Sequence, residues 1–271
     1  MKTIPPLLYG TAWKKEKTAQ LVIEAVHQGF VGIDTACQPK HYKEDGVGEA
    51  LLTLQNEGVK REDLYIQTKF TPLGGQDPAN VPYDTQASLS EQVAQSFAVS
   101  KKNLHTEYVD AFILHSPLFP FANLLSVWQA MEMIADSGEA LRLGISNCYD
   151  LNLLAKLYEE ARIKPTILQN RFYGDSDYDK DLREFCKEKG IVYQSFWSLT
   201  ANPHLLAHPT LTSLGQTYGK TTAQIFFRFL TQIGITPLTG TTSKEHMQEN
   251  LSIFDFSLSP QEIKKIEELL K

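Results

Sequence analysis

The chain has 271 residues, 42% of them apolar, and a formal net charge of −6 at pH 7. That is enough to fill the core of one domain, since α/β barrels commonly run to this length undivided. Its lysines and arginines are dispersed, so the basic block of a nucleic-acid binder is missing, and its three cysteines, Cys37, Cys148 and Cys186, match neither a zinc site nor a disulfide framework.

At the N-terminus, Pro5 and Pro6 interrupt the apolar helix that a signal peptide needs, and no apolar run is long enough to span a bilayer. The expected compartment is a reducing cytoplasm. Residues 7–11 are short and apolar and close on Gly10; residues 18–28 then carry Leu21, Val22, Ala25 and Val26 at helical spacing. The alternation continues with strands at 31–36, 64–70, 108–115, 141–146, 166–170, 191–196 and 235–240. Helices are expected at 46–55, 88–104, 124–137, 151–161, 179–189, 221–231 and 243–253. Strands such as Ala111-Phe112-Ile113-Leu114 are apolar at consecutive positions, as in parallel sheets covered on both faces. About eight strand–helix pairs fit an open doubly wound sheet or a closed barrel. Length, and the freedom of a barrel from edge strands, favour an α/β fold of the (β/α)8 TIM-barrel type, one domain over residues 1–271.

Ser259-Pro260-Gln261-Glu262 supplies an N-cap, a first-turn proline and a capping-box glutamate for a terminal helix. Residues 71–87 and 201–209 are rich in proline and glycine or asparagine, begin at strand ends, and are expected to overhang the active-site face.

Asp34, Lys69 and His115 each end an apolar strand, and Tyr42 follows Asp34 by a loop. In a barrel, polar residues at the C-terminal strand ends face the surface where barrels do chemistry. A tyrosine titrates near ~10 and donates a proton poorly at neutral pH unless a neighbour stabilises its phenolate. Lys69 is placed to do that, with Asp34 holding its charge; neutral His115 is placed to orient a substrate oxygen while Tyr42 delivers the proton. Taken singly, each of the four is as readily a cap, a surface aromatic, a rim lysine or a core histidine. A metal-dependent hydrolase would need clustered ligands at strand ends, where only Asp34 and His115 qualify, and no metal is expected.

The blocks Gly29-Phe30-Val31-Gly32-Ile33-Asp34-Thr35-Ala36, Tyr42, Val47-Gly48-Glu49-Ala50-Leu51, Gln67-Thr68-Lys69, Tyr108 through Pro117 and Gly144-Ile145-Ser146-Asn147 stand in the order seen in the aldo-keto reductases, and the chain resembles that superfamily nearly end to end. The resemblance implies Asp34, Tyr42, Lys69 and His115 as the catalytic residues, with Tyr42 as the acid. It implies that Ser146, Asn147 and Gln169 hydrogen-bond a nicotinamide carboxamide, that Phe196 stacks on the ring, and that Thr11, Asp34 and Leu199 also line the cofactor site. No Gly-x-Gly-x-x-Gly follows the first strand. Hydroxyls and free backbone N–H groups at Gly240-Thr241-Thr242-Ser243, opening a helix, suit an anion instead. There the family places the adenosine 2′-phosphate, with His246 nearby and Glu249 and Asn250 toward the adenine. The implied activity is NADPH-dependent reduction of aldehydes or ketones, with NADH as the alternative cofactor. The implied partner is a small-molecule carbonyl substrate, with no nucleic acid and no membrane, and the expected state is a monomer. A cofactor-binding regulatory or interaction protein with little turnover is the alternative.

Five departures shape the expectation. Seven residues separate Asp34 from Tyr42, so Tyr42 can act only if they bulge outward, and His41 is its rival. Gly240 and His246 stand where many members have lysine and arginine, leaving Lys244 and a protonated His246 to compensate. Phe196 replaces the usual stacking tyrosine. Ser116 stands where a bulky aromatic often does, which leaves Trp13, Phe119 and Trp197, with Tyr42 and His115, to line the substrate pocket. Without a long C-terminal tail, that pocket is expected to be open and broadly tolerant.

Overall fold

The computed structural model describes residues 2–270. Eight parallel strands close into a barrel in sequence order: β1 Leu8–Gly10, β2 Gly32–Asp34, β3 Tyr65–Phe70, β4 Ala111–Leu114, β5 Leu143–Ser146, β6 Ile167–Arg171, β7 Val192–Phe196 and β8 Thr236–Thr239. Outside them run α1 Thr18–Gln28, α2 Glu44–Asn56, α3 Leu89–Leu104, α4 Phe121–Asp136, α5 Leu151–Glu160 and α6 Lys180–Lys189. The rest are α7 Pro203–Leu206, α8 Pro209–Tyr218, α9 Thr222–Gln232, α10 Lys244–Leu251 and α11 Pro260–Glu267. No helix among the described residues is long and apolar enough to cross a membrane.

Local chemistry accounts for many of the boundaries. Capping boxes Ser88/Glu91, Thr221/Gln224 and Ser259/Glu262 open α3, α9 and α11, and α1 ends at Gly29, whose φ of 115° suits glycine. The strand expected at 108–115 is shorter because Val109 makes only an isolated bridge to Ala140. The stretch 201–209 differs more: Pro203 and Pro209 each sit in a first helical turn, and α7 and α8 replace the expected loop. Proline there starts a helix, because the N–H it lacks has no intrahelical partner at that position anyway.

Side chains alternate across each strand. Leu8, Tyr65, Ala111, Ile113 and Ile167 form an apolar cluster of their own, the floor of the barrel interior, while a much larger core lies between strands and helices. Two glycines let the interior be narrow: a Cβ on Gly32 would collide with Leu8 Cδ2, and one on Gly144 would lie 2.8 Å from Ile167 Cβ. Continuing the same inward parity toward the C-terminal strand ends gives Asp34, Gln67, Lys69, His115, Ser146, Gln169, Arg171, Gln194 and Phe196. The interior thus changes from apolar to polar along its axis, and the polar end is the barrel mouth.

Candidate active site

Asp34 and Lys69 form a buried ion pair at that mouth. Lys69 Nζ donates to both Asp34 oxygens at 2.7 Å and to Thr35 O at 2.8 Å, and its side chain is fully buried. Burial pulls the ammonium below its ordinary pKa, and Asp34, with Glu44 farther off, pushes back. Asp34 Oδ1 also accepts from Gln67 Nε2 at 2.6 Å and Gln169 Nε2 at 3.0 Å. Both glutamines donate to Gln194 Oε1 at 2.9 Å, and Gln194 Nε2 returns a bond to Gln67 Oε1 at 3.0 Å. A closed amide network therefore ties β3, β6 and β7 to the carboxylate.

Tyr42 reaches the pair from the β2–α2 connection. The extra residues before it form a turn in which the N–H groups of His41 and Tyr42 both donate to Gln38 O, at 3.1 and 3.0 Å. That turn is pinned to the 71–87 stretch: Gln38 Nε2 donates to Gly75 O at 2.6 Å, Gln76 Nε2 to Cys37 O at 2.9 Å, and Cys37 bridges Phe70. The residues bulge outward, and the Tyr42 ring returns over Lys69, its centroid 5.2 Å from Nζ and 6.0 Å from that of His115. His41 instead lies against Trp13, with ring centroids 4.0 Å apart, and its Nδ1 is 3.0 Å from Gln38 Oε1. The geometry joins Tyr42, and not His41, to the Asp34–Lys69 pair and His115.

The electrostatics differ from the sequence expectation in one respect. Lys69 was expected to acidify Tyr42, yet burial, and then the Asp34 carboxylate, raise the phenol above its ordinary pKa. Lys69's charge is largely matched by its bidentate partner, so little is left over for the phenol. His115 follows the expectation: burial first, then Lys69 and His41, hold its pKa well below 6.5, so it is neutral at pH 7. Its Nδ1 lies 2.7 Å from Thr71 Oγ1, which leaves Nε2 for another partner.

Of the residues implied for a cofactor, Ser146, Gln169 and Phe196 line the mouth from β5, β6 and β7. Both N–H bonds of Gln169 are committed to Asp34 and Gln194, leaving its Oε1 to accept. Asn147 is left-handed at φ 53°, and its Nδ2 donates to His115 O at 2.8 Å and Ser146 Oγ at 3.2 Å. It does not cap α5; Asp150 does, accepting from Asn152 and Leu153 N–H. Thr11 is buried with its hydroxyl on Asp34 O at 2.9 Å, and Leu199 packs partly buried against the core.

At the start of α10, where the resemblance implies a phosphate, Ser243 caps the helix and accepts from His246 N–H at 3.3 Å, while Thr241 Oγ1 accepts from Ser243 N–H at 3.1 Å and Thr242 is exposed. His246 Nδ1 lies 3.5 Å from Thr241 Oγ1. Asn250 is buried, with Nδ2 on Thr239 Oγ1 at 2.8 Å, and Glu249 is partly buried. Lys244, expected to compensate for missing cations, pairs with Glu24 at 3.1 Å. The cation at this end is one the sequence reading missed: Lys14 donates to Gly240 O, and a Cβ on Gly240 would lie 3.3 Å from Lys14 Nζ. Glycine at 240 leaves the space that the Lys14 ammonium uses.

Trp13, Trp197 and Phe119 stand exposed at 56%, 49% and 73%. Two further groups escaped sequence reasoning. Gln67 and Gln194 were visible only as polar residues on the inward parity of buried strands. Glu44, a buried carboxylate behind Lys69, accepts from Thr68, Ser100 and Asn103, and burial raises its pKa.

A parallel barrel whose mouth holds this pair, phenol and imidazole belongs to a known class. The Aldo/keto reductase family model matches residues 7–271, and the chain belongs to that family, whose oxidoreductases use a nicotinamide cofactor. It is similar to the NAD(P)H-dependent 6'-deoxychalcone synthase of Glycine max, 30% identical over 94% of this chain and 82% of that protein. It is also similar to the glyoxal reductase of Bacillus subtilis, 29% identical over 94% and 84%. Among solved structures, an aldo/keto reductase from Brucella melitensis superposes with a TM-score of 0.83 at 27% identity, over 99% of this chain and 96% of that one.

Proposed function

We propose that this chain, as a single barrel domain, reduces aldehydes or ketones to alcohols with NADPH, and that Tyr42 is the general acid. The observation that carries the reading is the buried Asp34–Lys69 pair lying beneath Tyr42, with neutral His115 beside it. The names of the soybean and Bacillus relatives support the cofactor and the substrate class.

The residues fit a nicotinamide nucleotide. Gln169 Oε1 is left to accept from a carboxamide, Phe196 offers a ring face, and the capped start of α10 with Lys14 over Gly240 suits a 2′-phosphate. When bound, the cofactor supplies the hydride that becomes the new C–H bond at the carbonyl carbon. His115 Nε2 hydrogen-bonds the carbonyl oxygen and polarises it. As negative charge develops there, Tyr42 transfers its hydroxyl proton to that oxygen, completing the alcohol and leaving a phenolate whose ring lies over Lys69. The raised pKa of the resting phenol suits this order: it loses its proton only to an oxygen that has become alkoxide-like. Solvent then reprotonates Tyr42.

Loss of NADPH absorbance across a panel of aldehydes and ketones tests the reading. Turnover is expected with activated aromatic aldehydes. Tyr42→Phe should lower it by ~10²-fold or more while leaving NADPH binding, and His41→Gln should keep most of it. Near-normal turnover by Tyr42→Phe would remove Tyr42 from its role, and NADPH binding without turnover of any carbonyl would favour a binding protein. The reading extends to a monomer in the reducing cytoplasm, the compartment being supported by three buried, unpaired cysteines; size-exclusion chromatography checks the first and cell fractionation the second.

A further inference from the structure

Arg171 closes β6 two residues beyond Gln169 and shares its inward parity, so its side chain rises at the barrel mouth. Its guanidinium carbon lies 4.3 Å from the Trp197 ring centroid and 5.1 Å from that of Tyr173. The chain has six arginines, and the side chains of the other five each donate to a protein oxygen. Among the described residues the Arg171 guanidinium makes no ion pair and no hydrogen bond, and its Nε is buried without a partner. Two rings orient a permanent cation whose donors the protein leaves unused, and a buried donor without a partner is costly to keep.

Arg171 borders a cleft of about 500 Å³ between the β6–α6 and β7–α7 connections, with Tyr173, Tyr178 and Trp197 among its walls. Asp175 and Asp177 also line it; both are exposed, and neither reaches ion-pairing distance of the guanidinium. They disfavour a dianion without neutralising Arg171. A carboxylate is singly charged and planar and accepts two parallel bonds from a guanidinium, and the aromatic walls suit an apolar body attached to it.

We propose that this cleft is an oxyanion subsite and that Arg171 selects carbonyl substrates bearing a carboxylate. The inference rests on the reductase reading, because Trp197 belongs both to this cleft and to the exposed aromatics at the mouth. The test compares kcat/KM for 4-carboxybenzaldehyde and benzaldehyde in the unaltered protein, Arg171→Met and Arg171→Lys, with the Kd for NADPH measured by fluorescence quenching. The preference for the carboxylate should fall by about 10- to 100-fold in Arg171→Met, mostly through KM, and by less in Arg171→Lys, which keeps the charge without the fork. An unchanged preference overturns the subsite. A loss confined to NADPH affinity also overturns it, placing the guanidinium on the cofactor's diphosphate. If the unaltered protein turns over neither aldehyde, the reductase reading fails separately. Calorimetric titration with benzoate then decides the subsite: binding lost in Arg171→Met supports it, and equal or absent binding sinks it.

Discussion

Asp34 accepts four hydrogen bonds from side chains, two from Lys69 and one each from Gln67 and Gln169, in a site from which water is nearly excluded. Lys69 contributes most as its partner, since a buried carboxylate without a counterion keeps its desolvation cost and loses the attraction that offsets it. Lys69→Met should therefore destabilise the fold by about 3–5 kcal/mol, measured by guanidinium chloride unfolding. A loss under 1 kcal/mol would mean that the glutamines alone carry the charge. The members of the site differed in how visible they were in the sequence. Asp34, Lys69 and His115 were legible because each ends an apolar strand, where a polar residue stands out. Glu44 was not, because it opens an amphipathic helix, where acidic residues are ordinary, and only its distant partners Ser100 and Asn103 reveal that it is buried. Lys14 was missed for a related reason: its role depends on the glycine at 240, far along the chain.

At the scale of elements, the β1–α1 connection lies over the end of β8, held by Lys14 on Gly240 O and by Tyr9, whose hydroxyl donates to Thr241 O at 2.9 Å. Burial lowers the Lys14 pKa from its ordinary value, yet it stays a donor at the start of α10, where an anion is favoured. Lys14→Met should raise the Kd for NADPH about 10-fold and leave that for NADH nearly unchanged, as read by fluorescence titration. Equal weakening of both would move the ammonium from the 2′-phosphate to the diphosphate they share. The α7–α8 region shows where element reading failed. Proline reads as punctuation in a sequence, but its effect depends on whether it falls before, in or after a first helical turn, and residues 201–209 place two of them in first turns.

For the whole molecule, eightfold alternation and length were enough to anticipate the closed barrel, since each strand's apolar run and each helix's stripe report the same layered packing. The amide network was beyond reach, because strand periodicity says that Gln67, Gln169 and Gln194 point inward but not that they meet. One consequence of the burial is global. His115 is held neutral in the fold but takes up a proton near 6.5 when unfolded, so below that pH the unfolded chain binds more protons. Stability from this residue is therefore complete above 6.5 and is lost as pH falls toward the depressed folded value. His115→Phe should flatten that part of the stability–pH curve, and an unchanged slope would assign it to other groups. The apolar floor formed by Leu8, Tyr65, Ala111, Ile113 and Ile167 adds a constraint of a different kind. It makes the barrel a vessel with one opening, so under the proposed mechanism the proton that replaces the one given up by Tyr42 enters by the route through which the alcohol leaves. Under that mechanism replenishment and departure share a doorway.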